Sequence, residues 1–255
     1  MENSKKKCIK NIVAILLLLI IASCNSQNSK KKIIINEEEM EQTKKETHNV
    51  FKDYQPARQF NINEFNLKSR GENKCRFVDG NGVEVYQFTN PEFPSGKINK
   101  YWENRNYPNS GYEFVCSYDA NGLLLHSLTT FYNIEFGVIQ YYDSSGNVTN
   151  KKDLDAPYKF SLDDLIDKMK DEYEIDISNT ELTDDVSRGF VDKINLPVYE
   201  VRLKDLLTPA MVHIYLINGN TGETMLITSR ETMWNGQPSE RVLDEYIRKK
   251  ANGEL

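Results

Sequence analysis

The chain is short of the residues that most often carry chemistry. Its 255 residues include three histidines, two tryptophans and four cysteines. No His-Glu-x-x-His, Cys-x-x-Cys or glycine-rich phosphate-cradling pattern occurs, so zinc hydrolysis, dithiol redox chemistry and nucleotide binding have no motif behind them. Positive charge is not in excess: 32 Lys and Arg face 38 Asp and Glu, a net charge of −6. That balance offers no electrostatic footprint for nucleic acid. No apolar run approaches the roughly 18 residues that a membrane-crossing helix needs.

The three histidines are His48, His126 and His213, and none has a carboxylate or cysteine at ligand spacing. His126 and His213 sit in strand-like runs, where a packed histidine is the simplest reading. The expectation is therefore a protein that is not an enzyme, with no catalytic residue, no metal ligand and no cofactor. A Ser-His-Asp set built from distant residues is the alternative that spacing alone does not exclude. Asp79-Gly80-Asn81-Gly82-Val83-Glu84 has oxygen donors at alternate positions, as calcium loops do. It lacks the third donor before a glycine and the distal bidentate Glu, and these residue types are those a tight hairpin turn demands.

The N-terminus is the most informative segment. Lys5, Lys6, Lys7 and Lys10 precede the apolar stretch Ile12 to Ile21, and Ala22-Ser23-Cys24 follow. Ten apolar residues span only about 15 Å as a helix, half of a bilayer core, so residues 1–23 read as a cleavable targeting signal. Ile21-Ala22-Ser23-Cys24 resembles the lipobox of bacterial lipoproteins. That resemblance implies a lipidated Cys24, a membrane anchor of several acyl chains, and, with Asn25 rather than aspartate next, the outer membrane of a Gram-negative cell. Lys30, Lys31 and Lys32 favour the periplasmic face. Without residues 1–23, which carry four lysines against Glu2, the net charge falls from −6 to −9.

Residues 24–50 are polar and charged, with Glu37-Glu38-Glu39 and Lys44-Lys45 as charge runs, and read as a flexible tether that includes His48. From 51 to 152, short apolar runs alternate with turns. Three turns are alike: Asp79-Gly80-Asn81-Gly82, Asp119-Ala120-Asn121-Gly122 and Asp143-Ser144-Ser145-Gly146. Each falls between two strand-like runs, which predicts β-hairpins. The segment Gly137 to Val148, with Tyr141-Tyr142-Asp143 and Gly146, resembles the hairpins of YD-type and MORN-like repeats.

After Ala156-Pro157, Ser161-Leu162-Asp163-Asp164 forms a capping-box start, and Leu162, Leu165, Ile166, Met169 and Tyr173 share one helical face. Strand-like runs follow at Pro197 to Leu203, Met211 to Asn218 and Glu223 to Ser229. The second run is apolar on both faces, as in a central strand covered on both sides. A closing helix is expected from Ser239 to Lys250. This helix–strand order, with Val198-Tyr199-Glu200-Val201-Arg202-Leu203 and Thr221-Gly222-Glu223, resembles a PepSY-like domain over 157–252. Such modules are non-catalytic and are often propeptide or inhibitory parts of secreted proteases.

Two features bear on binding. The middle region is rich in aromatics, which suits half-buried strands in general. Tyr101 to Tyr112, with Trp102 and Tyr107 among Asn, Pro, Ser and Gly, reads as the one exposed aromatic loop. Cys75 and Cys116 are the cysteines left after processing, in an oxidising compartment where a disulfide persists. Cys75 lies four residues before Asp79 and Cys116 three before Asp119, which places them on opposite faces if the hairpins are equivalent. Pairing and two buried free thiols both stay open.

The expected architecture is α+β: an antiparallel β-meander lobe, then a small lobe with two helices on an antiparallel sheet. The expected role is a membrane-anchored envelope lipoprotein that binds an envelope or secreted protein, in an immunity-like or protease-restraining manner. A carbohydrate- or ligand-binding surface using Tyr101, Trp102, Tyr107 and Tyr112 is the alternative.

Overall fold

A computed structural model describes residues 47–231 and 240–255. Cys24, the targeting signal, the tether up to residue 46 and the first residue of the expected closing helix lie outside the described residues. Residues 47–255 form one compact unit. Its architecture is α+β, with two antiparallel sheets and three helices among the described residues.

The three Asp-centred turns use one device. In each, the aspartate carboxylate accepts backbone N–H bonds from the residues two and four positions on: Asn81 and Val83, Asn121 and Leu123, Ser145 and Asn147. The closing glycines, Gly82, Gly122 and Gly146, take φ of +79°, +83° and +80°. A side chain is strained there and glycine is not. These turns join β1 (Lys74–Val78) to β2 (Glu84–Thr89), β4 (Tyr112–Asp119) to β5 (Leu124–Phe131), and β6 (Ile134–Tyr142) to β7 (Val148–Asp153). With β3 (Lys100–Asn106) they form a seven-stranded meander in the order β1 to β7. A short helix, α1 (Ile62–Ser69), precedes it. Asn61 caps α1 by accepting from the N–H of Glu64.

The second sheet has the order β11 (Thr224–Glu231), β10 (Met211–Asn218), β9 (Leu196–Lys204), β8 (Thr183–Val191). Strand β10 is an inner strand, buried along its Val212, Ile214 and Leu216 face and, on the α2 face, buried at Ile217 but open toward His213. The two helices lie on opposite faces. Helix α2 (Leu162–Tyr173) starts at the capping box of Ser161 and Asp164. It buries Leu162, Leu165, Ile166 and Met169 with Val186, Tyr199, Val201 and Ile217. Helix α3 (Val242–Ala251) places Val242 and Tyr246 on Val212, Ile214, Leu216 and Leu226 of the other face.

Both sheets share a core. The cluster under α2 is continuous with Phe60, Phe65, Tyr101, Tyr112, Phe114, Tyr118 and Phe131 on the inner face of the meander. The seam is hydrogen-bonded as well: the Asn133 N–H donates to the Val186 carbonyl (3.2 Å), and the Gly111 N–H to Ser178 (3.2 Å). Arg188 of β8 closes it. Its side chain is 5% exposed, and the guanidinium lies 2.7 Å from the Asp155 carboxylate and donates to the carbonyls of Glu135 (2.7 Å) and Leu154 (3.1 Å). It also stacks 4.2 Å over the Tyr158 ring.

The folded unit begins before the expected end of the tether. His48 belongs to it: its N–H donates to Asp163 (3.0 Å) and its Nε2 lies 2.8 Å from Asp167, both on α2. Phe51 is buried against Tyr54, Tyr107 and Phe114.

Candidate functional site

The residues expected to form one aromatic loop are split between two sides of a strand. Residues 100–106 are β3, and its alternation sends Tyr101 inward and Trp102 outward. Tyr101 is 5% exposed and stacks on Phe60 at 4.8 Å. Tyr112 is 2% exposed and packs on Phe131. Burial pushes both phenols above their ordinary pKa. Tyr107 is on the true loop, but its ring leans on Phe51 at 5.4 Å. Of the four residues, Trp102 alone stands on the outer face of the sheet, away from the core.

That outer face is the aromatic surface of the molecule. The register aligns Phe88, Trp102, Ser117, His126 and Tyr141 in one row across β2 to β6. Beside it runs a second row of Tyr86, Asn104, Val115 and Leu128. None of Tyr86, Phe88, Trp102, His126 or Tyr141 belongs to a core cluster. The rings are engaged with one another. Phe88 and Trp102 are 5.2 Å apart and within 6° of parallel, Tyr86 stacks on Phe88 at 5.2 Å, and Arg76 caps Tyr86. Nearly parallel rings at that centroid separation are offset-stacked, each turning part of one face to the other. A sugar platform needs a free ring face, and Phe88, between Tyr86 and Trp102, has both of its faces engaged. Stacked aromatics with polar neighbours such as Asn104 and His126 suit a protein surface.

The histidines are held by neighbours the sequence does not reveal. His126 shares a 2.8 Å hydrogen bond with the buried Ser117, and burial lowers its pKa, with Lys100 adding to the effect. His213 Nδ1 lies 2.8 Å from Ser229 Oγ, directly across the β10–β11 ladder, and its Nε2 lies 3.4 Å from Asp205. Asp205 is kept ionised first by the N–H groups of Thr208 and Leu207 and then by His213. The three residue types are those of a nucleophilic triad. Catalysis also needs an enclosed reacting position with oxyanion donors. His213 and Ser229 instead face solvent on a strand pair at the edge of the sheet, and the larger cavities are elsewhere.

Cys75 and Cys116 are free thiols. They lie in one cross-strand row, Cys75–Gln87–Glu103–Cys116, on the inner face. The expectation of opposite faces is therefore corrected. The β1–β2 and β4–β5 turns are equivalent in chain geometry but close opposite ends of the meander. A two-fold axis in the sheet plane relates them, and that operation exchanges faces. Three strand spacings, roughly 14 Å, then separate the thiols, far beyond disulfide reach. Between them Gln87 donates to Glu103 (2.6 Å), which also accepts from Arg105 (2.9 Å). Burial pushes the Cys116 thiol up to about 12, which leaves it inert.

A cavity of about 380 Å³ opens on the α3 side of the second sheet. Its floor is Val198, Glu200, Arg202, Ile214 and Leu216, and Val242 and Leu243 of α3 wall it. Among the described residues no cluster of His, Cys, Asp and Glu could hold a metal, and no helix is long and apolar enough to cross a membrane.

No protein-family model matches this chain, and the search of curated proteins found no relative. Among solved structures, the Bacillus megaterium YpeB C-terminal domain is similar to it at 11% identity, over 69% of this chain and all of that domain. The TM-score is 0.20, and a likeness at that level carries no argument about fold or function.

Proposed function

We propose that this chain is a non-catalytic protein-binding module, held at the cell envelope by a lipid on Cys24, and that it meets its partner through the outer face of the seven-stranded sheet. The observation that carries the reading is that face itself. It is rigid, strand-borne and rich in Tyr, Phe, Trp and His, yet it stands outside both core clusters. Aromatic anchors on a rigid scaffold are the usual hot spots of protein interfaces. The PepSY-like order of the second half supports a restraining or immunity-like role toward a secreted protein. The carbohydrate alternative is less well supported, because Tyr101 and Tyr112 are buried and the outer rings stack on one another.

The mature body and its Trp102→Glu variant, each immobilised, test this against envelope extracts and against a glycan array. A discrete protein retained by the wild type and lost by the variant is the expected result. Retention unaffected by Trp102→Glu, or binding to glycans alone, would overturn the surface assignment. For the anchor, Cys24→Ser should abolish incorporation of labelled palmitate, and persisting label would refute it.

A further inference from the structure

We infer that the cavity between α3 and β8–β9 takes a basic side chain, an ammonium or guanidinium, from an extended peptide segment of the partner. The inference rests on the protein-binding reading and adds a second, chemically defined contact to it. The α3 face of the second sheet is four strands wide, while α3 packs on β10 and β11. Over the other half β8 contributes little bulk: Ser187 faces Glu200 across the ladder, and Gly189 faces Val198. A Cβ at Gly189 would meet nothing within 4 Å. The result is a slot whose floor carries Glu200 and Arg202 among Val198, Ile214 and Leu216, with Glu231 at its edge.

The slot's charges are unevenly committed. Two arginines at the rim have carboxylate partners of their own, Arg230 with Glu245 (2.7 Å) and Arg241 with Asp244 (2.8 Å), while the Arg188 side chain points to the opposite face of the sheet. Arg202 is shared, its Nε 3.3 Å from Asp184 and its Nη1 3.7 Å from Glu200. Two carboxylates divide one guanidinium, and Glu200 receives the longer contact. Among the described residues it makes no hydrogen bond, although its side chain is only 28% exposed. A half-buried carboxylate without hydrogen bonds calls for an N–H donor. Burial also raises its pKa above the ordinary value, with Arg202 opposing that shift. A ligand cation would replace lost solvation and neutralise the charge, while neighbouring apolar side chains of an extended peptide reach Val198, Ile214 and Leu243.

Fluorescence anisotropy of the mature body with a labelled pentapeptide of alternating leucine and lysine tests this, with the leucine–glutamate peptide as control. The lysine peptide should bind at least tenfold more tightly than the glutamate peptide. Glu200→Gln and Gly189→Leu, the second filling the slot, should each remove most of that difference without lowering the melting temperature. Asp171→Asn, on the acidic surface of α2, should leave it unchanged. Equal binding of the two peptides, binding unaffected by both slot variants, or an equal loss from Asp171→Asn would overturn the proposal. A body that still retains its envelope protein through Trp102 but ignores the lysine peptide would refute the slot and spare the sheet face.

Discussion

The two sheets are both antiparallel, but they are finished differently. The four-stranded sheet has a helix on each face, and strand β10 is largely apolar on both. The seven-stranded sheet meets the shared core on its inner face alone, and on its outer face only positions such as Ser117 and Leu128 are covered, by neighbouring side chains. A sheet covered twice has little left to offer a partner beyond its gaps, such as the slot beside α3. A sheet covered once can keep aromatic side chains in solvent for recognition and rely on the inner face for stability.

The largest expected effect follows from two adjacent residues on opposite sides of β3. Tyr101→Ala removes a buried ring stacked on Phe60 and should cost about 3–4 kcal/mol, as large aromatic-to-alanine changes in cores do. Trp102→Ala removes the larger side chain but only a cross-strand stack, and should cost about 1 kcal/mol. Urea denaturation of both variants checks this, and comparable losses would break the distinction between the faces.

Next in size is Arg188, which joins the two sheets. Arg188→Met keeps the apolar stem but leaves Asp155 with only the Gly137 N–H and removes the donor to two carbonyls, and should cost about 3 kcal/mol. That is the lower end for a broken buried pair, because Asp155 retains access to water. A change under 1 kcal/mol would show that the apolar core alone holds the seam.

The smallest effect concerns Glu200 and is read as a pH profile. Its folded pKa is raised, so the folded state binds this proton more tightly than the unfolded state does. The contribution favours folding below the unfolded pKa, near 4.5, and is lost as pH rises through the folded value. Glu200→Gln should therefore melt slightly higher than wild type at pH 7, and the gain should shrink as pH falls toward 4.5. A gain that grows on acidification would show that Glu200 is held as a stabilised carboxylate instead.

What was legible in the sequence follows the same division. The Asp-centred turns were readable because local hydrogen bonds and positive φ demand those residues. Strand β10 and the capping box of α2 were readable from apolar period and spacing. Strand β8 was not: Thr183-Asp184-Asp185-Val186-Ser187-Arg188-Gly189 is polar, with Val186 its one deeply buried apolar residue, and it exists by pairing with β9 and meeting the Asn133 turn. Helix α1 was missed although Asn61 and Glu64 have capping spacing, because Phe65 is the single apolar side chain it buries. The aromatic surface was misplaced because period-two alternation separates Tyr101 from Trp102 without saying which side is core. Counting from equivalent hairpins puts Cys75 and Cys116 on opposite faces only because sequence spacing does not show which end of a meander a turn closes. Contacts such as Ser229 with His213 depend on register and carry no local signal.

Recognition through the outer face of the large sheet is the central claim. Site-specific photo-crosslinking in living cells tests it, with the photoreactive residue placed in turn at position 102 on that face, at position 101 on the inner face and at position 109 on the β3–β4 loop. A partner seated on the outer face should give one discrete high-mass adduct from position 102 and none from position 101 or 109. An adduct from position 109 with none from position 102 would return recognition to the loop and contradict that claim.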